Sequence, residues 1–149
     1  MALKQSAYAR GVIPTPVAAG CEVVVCRASF TLTADLSAGD IIEMQGLPAG
    51  HVPVDIIFDN DALAAGTVSV GILNAGKTDL DLTASGGAAW LTGGAVTSAG
   101  ALRADAAGLR AMSRCPVNQS ANQSVGVKIV TDTTAVSGTI GLTLLYRSA

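Results

Sequence analysis

The feature that most constrains this chain is an alternation of apolar and polar side chains with a period of two. It is clearest over residues 24–33, where every second residue is small or apolar: Val24, Cys26, Ala28, Phe30 and Leu32. The residues between them include Arg27, Ser29 and Thr31. Because successive side chains of a strand point to opposite faces, this pattern predicts a long β-strand with one buried face.

The same alternation recurs along most of the chain. Further strands are predicted over 41–45, 52–58, 68–72, 125–129 and 140–146, and turns rich in Gly, Pro and Asn separate them. About eight short strands without a regular alternation of strand and helix predict an all-β, antiparallel β-sandwich of the jelly-roll type. An immunoglobulin-like sandwich is the alternative, although the Cys-Trp-Cys spacing of that fold is missing.

The segment 83–111 is rich in Gly and Ala and gives a weaker signal. A helix over 101–112 competes there with short strands around Trp90 and Val96, and Gly108 weakens the helical alternative. We therefore expect loops and short strands. A hairpin turn at 74–77, followed by a return strand through Leu80 and Leu82, is predicted just before it.

Residues 1–20 show no clean periodicity and contain Pro14-Thr15-Pro16, so they are predicted to form an extended N-terminal arm beside a single sandwich domain, 21–149. The arm carries apolar residues with little to pack on inside the arm itself. It docks either on the edge of its own sandwich or on a neighbouring chain. The candidate protein-interaction residues are Leu3, Tyr8, Val12, Ile13 and Val17, with Trp90 as an aromatic anchor.

Composition excludes several function classes. Only 13% of the residues are charged and the net charge is -2, which is typical of neither a disordered tail nor a polybasic nucleic-acid binder. The longest uncharged stretch, 82–102, contains many Gly, Ser and Thr residues, so no membrane span is predicted. The N-terminus has no apolar run of the kind found in secretory signals, so synthesis in a cytosol and three free thiols are expected.

Three groups of residues could carry chemistry, and none does so convincingly. Residues 71–78 match the phosphate-loop pattern G-x-x-x-x-G-K-T, but Gly71 falls inside a predicted strand, so the match is interpreted as accidental. His51 is predicted to be a surface turn residue without a catalytic partner. Asp55, Asp59 and Asp61 are typical of a polar strand face. We predict no enzyme, catalytic residue, metal or cofactor.

The chain resembles the small cement, or decoration, proteins of tailed bacteriophage capsids. The resemblance rests on its size, its Ala, Gly, Thr and Val content and three stretches: A-Y-A-R-G-V-I-P-T-P, L-S-A-G-D-I-I-E-M-Q-G-L-P-A-G and V-P-V-D-I-I-F-D. It implies a structural virion protein with a jelly roll on the exterior of an icosahedral shell, bridging subunits of the phage major capsid protein without cofactor or catalysis. We further expect a homo-oligomer, dimer or trimer, assembled in the host cytoplasm, with neither nucleic-acid nor membrane partners.

A second hypothesis belongs to a different class. A carbohydrate-binding or adhesin-like sandwich of a phage tail or surface structure would use Trp90 to stack on a sugar. Asp55, Asp59 or Asp61 would then hold Ca²⁺.

Overall fold

The computed structural model describes residues 1–134 and 137–149. These residues form nine strands and one helix: β1 (Leu3–Gln5), β2 (Val23–Leu32), β3 (Ile41–Leu47), β4 (His51–Asn60), β5 (Thr67–Ile72), β6 (Leu91–Ala95), β7 (Gly100–Arg103), α1 (Ala106–Ser113), β8 (Gln123–Thr131) and β9 (Gly138–Ser148). No helix of the described chain has the length and apolar character needed to cross a membrane.

The strands form two facing sheets. One has the order β1-β3-β8-β5-β6 and the other β2-β9-β4-β7. Four antiparallel pairings are nested in the sequence, β2 with β9, β3 with β8, β4 with β7, and β5 with β6. The chain from β2 to β9 is therefore one long antiparallel hairpin rolled into two four-stranded layers, which is a jelly roll. The predicted all-β sandwich is confirmed.

The alternating strands place their apolar faces between the sheets, as expected. Along β2, Cys26, Ala28 and Leu32 are buried and Phe30 is partly buried on the same face, while Arg27, Ser29 and Thr31 are exposed. β3 shows no such alternation, because β1 pairs along its edge, a bulge between Glu43 and Gln45 shifts its register, and the Glu43 side chain is covered by Gln5, Lys77 and Ser124. The core is made largely of Val, Leu and Ile from both layers, together with Phe58, Trp90 and Tyr146.

The weakly patterned segment departs from expectation in two places. Short strands form at β6 and β7, but Ala106–Ser113 is a helix, and the return strand through Leu80 shrinks to a single bridge with Leu73. The helix begins because the Asp105 carboxylate accepts a hydrogen bond from the Gly108 amide at 2.7 Å, which caps its first turn. The sequence prediction underrated that cap.

Candidate interaction surface

A short parallel strand fixes the start of the N-terminal arm to the sandwich. β1 pairs with β3, so the arm extends the sheet beyond that strand. The Ala2 amide donates to the Asp40 carboxylate at 2.8 Å, and the Ser6 amide donates to the Glu43 carbonyl at 2.9 Å. In this structure the arm therefore docks on its own sandwich, one of the two alternatives that the sequence leaves open. The division of the chain at residue 20 stays a prediction.

Glu43 lies at the centre of this attachment. Its buried carboxylate accepts hydrogen bonds from Gln5 of the arm at 2.6 Å and from Ser124 of β8 at 2.6 Å, and it pairs with the Lys77 ammonium at 2.9 Å. Burial by itself would raise the pKa of Glu43, but the bonds from Ser124, Gln5 and Lys77 outweigh it and hold that pKa below its ordinary value. Sequence reasoning missed this residue, although a charge inside the apolar run I-I-E-M was a usable signal.

The next part of the arm turns back on itself. The Val12 amide donates to the Ala7 carbonyl at 2.9 Å. Tyr8 is half-buried against the core, and interaction with the Cys26 thiol raises the pKa of the Tyr8 hydroxyl. Tyr8, predicted as a partner contact, thus uses part of its ring and its polar tip within its own chain.

His51 and Tyr146 hold the last part of the arm. Nε2 of His51 accepts a hydrogen bond from the Ala18 amide at 3.1 Å, and Nδ1 lies 2.9 Å from the Ala49 carbonyl oxygen. This pair of bonds assigns the neutral ring with its proton on Nδ1. The Tyr146 hydroxyl donates to the Pro16 carbonyl. His51 is buried, so the prediction of a surface histidine is wrong; both ring nitrogens serve to bind backbone.

Four of the predicted contact residues lie on the surface of this tethered arm. Val12 and Val17 are each 67% exposed, Leu3 is 46% exposed and Ile13 is 41% exposed. A valine or leucine side chain that stays exposed to solvent lacks the stabilisation of about 1.5–3 kcal/mol that full burial would provide. Because hydrogen bonds on both sides fix the backbone that carries them, these four exposed apolar side chains lie on a pre-ordered segment, and we call them together the arm surface.

Trp90 does not belong to that surface. Its side chain is fully buried, and its indole N–H donates to the Ser85 carbonyl at 2.9 Å. The expectation of an exposed aromatic anchor is corrected, since the ring fills the core beneath the loop instead of projecting from it. In a core with so few aromatic residues, burying one large ring stabilises the fold more than leaving it on the surface, and the prediction did not take this into account.

The phosphate-loop pattern falls in a setting that differs from a nucleotide site. Gly71 lies buried in β5, and Lys77 occupies the turn after it with a left-handed backbone, φ 53°. The Lys77 ammonium is paired with Glu43 rather than free for a phosphate. Among the described residues, no helix begins directly after Thr78 to supply the backbone amides that a phosphate site requires.

The three aspartates of the other candidate cluster have separate partners. Asp59 forms a bidentate pair with Arg27, Asp55 pairs with Arg103, and Asp61 accepts the Thr139 amide at 2.8 Å. Within residues 1–134 and 137–149, no three acidic, His or Cys side chains group as they would around a metal ion.

Comparisons with known proteins place these features in context. The chain is 34% identical to a chain in the structure "Capsid of Ralstonia phage GP4", covering 99% of this chain and 98% of that one, with a TM-score of 0.78. A chain in "Cyanophage Pam1 capsid asymmetric unit" is 17% identical over 92% of this chain and 93% of that one, with a TM-score of 0.56, and shares the fold. No protein-family model and no curated protein matches the sequence.

Proposed function

The chain belongs to the family of phage capsid proteins that includes the Ralstonia phage GP4 chain, and from that premise we propose that it is a cement, or decoration, protein of a tailed phage capsid. It binds the outer surface of an icosahedral shell and bridges neighbouring subunits of the major capsid protein. The similarity to the GP4 chain over nearly the whole of both chains is the observation that carries this proposal.

The arm surface supports a binding role without catalysis. Val12, Ile13 and Val17 project from a backbone that is already tied down at Ala18 and at β1. A pre-ordered segment loses less conformational entropy on binding than a free one, so more of its apolar contact energy appears as affinity. We assign Leu3, Val12, Ile13 and Val17 to the contact with the shell, with Tyr8 supporting them.

The stabilising effect follows from mass action. A ligand that binds assembled shell and not free subunits shifts the equilibrium toward the shell. Bridging two subunits makes the second contact intramolecular, so modest single contacts add up to strong retention. The protein acts as a homo-oligomer on the exterior of the virion and is assembled in the host cytoplasm.

Nothing favours the carbohydrate-binding alternative as a second candidate. The residue it needs for stacking on a sugar, Trp90, is fully buried. Asp55 and Asp59, which would hold Ca²⁺, are paired with arginines.

A binding experiment with matched variants tests the proposal. Shells of the parent phage, prepared without this chain, are titrated with the wild type and with the double variant V12D/V17D. We expect saturable wild-type binding that raises the temperature at which the shell comes apart. The variant should bind at least about tenfold more weakly, because it replaces apolar contacts with charge.

Val54→Asp is the matched control. Val54 is an exposed valine of β4, outside the arm, and is 39% exposed. It should bind like the wild type. If the shells do not bind the wild-type protein, the cement role is wrong. If they bind all three proteins equally, the arm surface does not take part in binding.

A further inference from the structure

Two arginines stand unpaired at the end of the sandwich that carries α1. Of the nine Lys and Arg residues in the chain, four form ion pairs: Arg27, Lys77, Arg103 and Lys128. Arg110 and Arg114 are exposed and pair with no acidic side chain of the described residues. They are four positions apart on α1 and its C-cap, so they lie on the same side.

Both arginines line one small notch of about 210 Å³. Its other walls are the loop 86–88 and two alanines of α1, Ala107 and Ala111. None of these residues is acidic, and all are Gly or Ala apart from the two arginines. Both arginines are exposed, and the small residues beside them let a partner approach closely.

The notch is a fixed feature of the fold. A Cβ at Gly86 would lie 1.9 Å from the Ala111 carbonyl oxygen, so the loop packs directly on the helix. Gly86 also has a left-handed backbone, φ 97°, which only glycine adopts without strain. This contact fixes the backbone of the loop against the backbone of α1 from which the two arginines extend.

The nearest carboxylates in the sequence already accept hydrogen bonds from backbone amides. Asp105 accepts the Gly108 amide at 2.7 Å and the Thr92 amide at 3.1 Å, and Asp81 accepts the Ala84 amide at 2.9 Å. Both cap turns. Arg110 lies in the last turn of α1 and Arg114 is its C-cap, where the helix dipole favours positive charge, but among the described residues no carboxylate pairs with either guanidinium group.

We propose that this notch binds a carboxylate side chain on an acidic surface of the shell's capsid protein, an inference that rests on the proposed function. A guanidinium group binds a carboxylate through two parallel hydrogen bonds, and two such groups on one wall define where it sits. Leu109, next to Arg110, is 43% exposed, and such an apolar neighbour fits a protein surface better than a phosphate backbone. The net charge of -2 also disfavours nucleic acid.

The test compares charge reversal in the notch with charge reversal elsewhere. Wild type, R110E/R114E and the control Arg147→Glu are titrated onto shells prepared without this chain, from low to high salt. Arg147 is an exposed arginine of β9 that pairs with no acidic side chain in the described part of the chain. We expect the double variant to bind about tenfold or more weakly at low salt and to lose most of the salt dependence, while Arg147→Glu stays within about twofold of wild type.

Each outcome decides between specific alternatives. Equal binding and equal salt dependence for all three proteins overturn the notch while leaving the cement role intact. If the wild type does not bind the shells, both proposals fall. If the double variant alone changes the sedimentation of the free protein, or its retention on double-stranded DNA, the occupant is a second copy or nucleic acid and the proposed partner is wrong. Unchanged melting temperatures of the variants exclude misfolding.

Discussion

At the scale of single residues, the attachment of the arm depends on a buried carboxylate. Glu43 joins the arm, β8 and the turn at Lys77 through three polar partners. Because the partners stabilise the charged form, its pKa lies below the ordinary value of 4.5 in the folded protein. The linked stability is therefore present above pH 4.5 and is lost as the pH falls through the folded pKa.

Glu43→Gln should reduce this linkage. A glutamine amide cannot form an ion pair with the Lys77 ammonium, so we expect the free energy of unfolding at pH 7 to fall. The loss should be about 1–2 kcal/mol, since solvent screens the partly exposed Lys77. Stability should also decline less steeply below pH 4.5 than in the wild type. Denaturant unfolding at several pH values between 3 and 7 measures both effects.

Asp79→Asn is the control for that prediction. Asp79 pairs with Lys128 on the surface, and its side chain is 54% exposed. A hydrogen bond from Lys128 lowers the pKa of Asp79, but solvent screens the pair, so its removal should change stability little. A Glu43→Gln protein that follows the wild-type pH profile would show that the carboxylate does not anchor the arm.

At the scale of elements, the sequence predicts a strand best where one face of that strand is exposed to solvent. β2 and β9 each turn one face toward the core, so their buried faces follow from the sequence, although β9 extends two residues beyond the predicted 140–146 at each end. β3 does not alternate, because a bulge shifts its register and the polar partners of Glu43 bury that side chain too, and α1 was missed because Gly108 is typical of a helix breaker. What Gly108 does depends on a neighbour distant in sequence, which no local pattern reveals.

Gly108→Ala tests that explanation. Alanine favours helix by about 1 kcal/mol over glycine, so local propensity predicts stabilisation. In the fold, however, a Cβ at this position would lie 1.9 Å from the Trp90 carbonyl oxygen. We expect a net loss of about 2–3 kcal/mol in the free energy of unfolding, measured by denaturant titration.

Gly100→Ala provides the comparison. Gly100 lies in β7, has no left-handed backbone and would place its Cβ in open space. Its substitution should change the free energy of unfolding by less than about 0.5 kcal/mol. A stabilised Gly108→Ala protein would mean that α1 does not pack on Trp90 as described.

The candidate interaction surface also depends on contacts between segments distant in sequence, which a local pattern does not show. The arm residues Val12 and Val17 could be predicted, because apolar side chains beside prolines have nothing local to cover them. Trp90 and His51 were misplaced because burial depends on which distant segments fold over them. The notch at Arg110 could not be foreseen either, since it exists only where the loop 86–88 meets α1.

At the scale of the whole molecule, the two proposals give the jelly roll two different contact surfaces. The arm surface is apolar and tethered, whereas the notch is basic and fixed by backbone contact. A protein with two such contacts can bridge two subunits, and its retention then exceeds what either contact provides alone. If the proposed function holds, two distinct contacts would also favour one orientation on the shell, since rotating the protein would break both.

A cryo-electron microscopy reconstruction of the phage that carries this chain tests the cement role most directly. The proposal predicts the jelly roll as separate density on the outside of the shell. Each copy should touch at least two capsid protein subunits, with Val12 and Val17 buried against a neighbouring chain. Density for this chain in the continuous shell wall, on the inner surface or in the tail, or an arm surface that stays fully solvated, would contradict it.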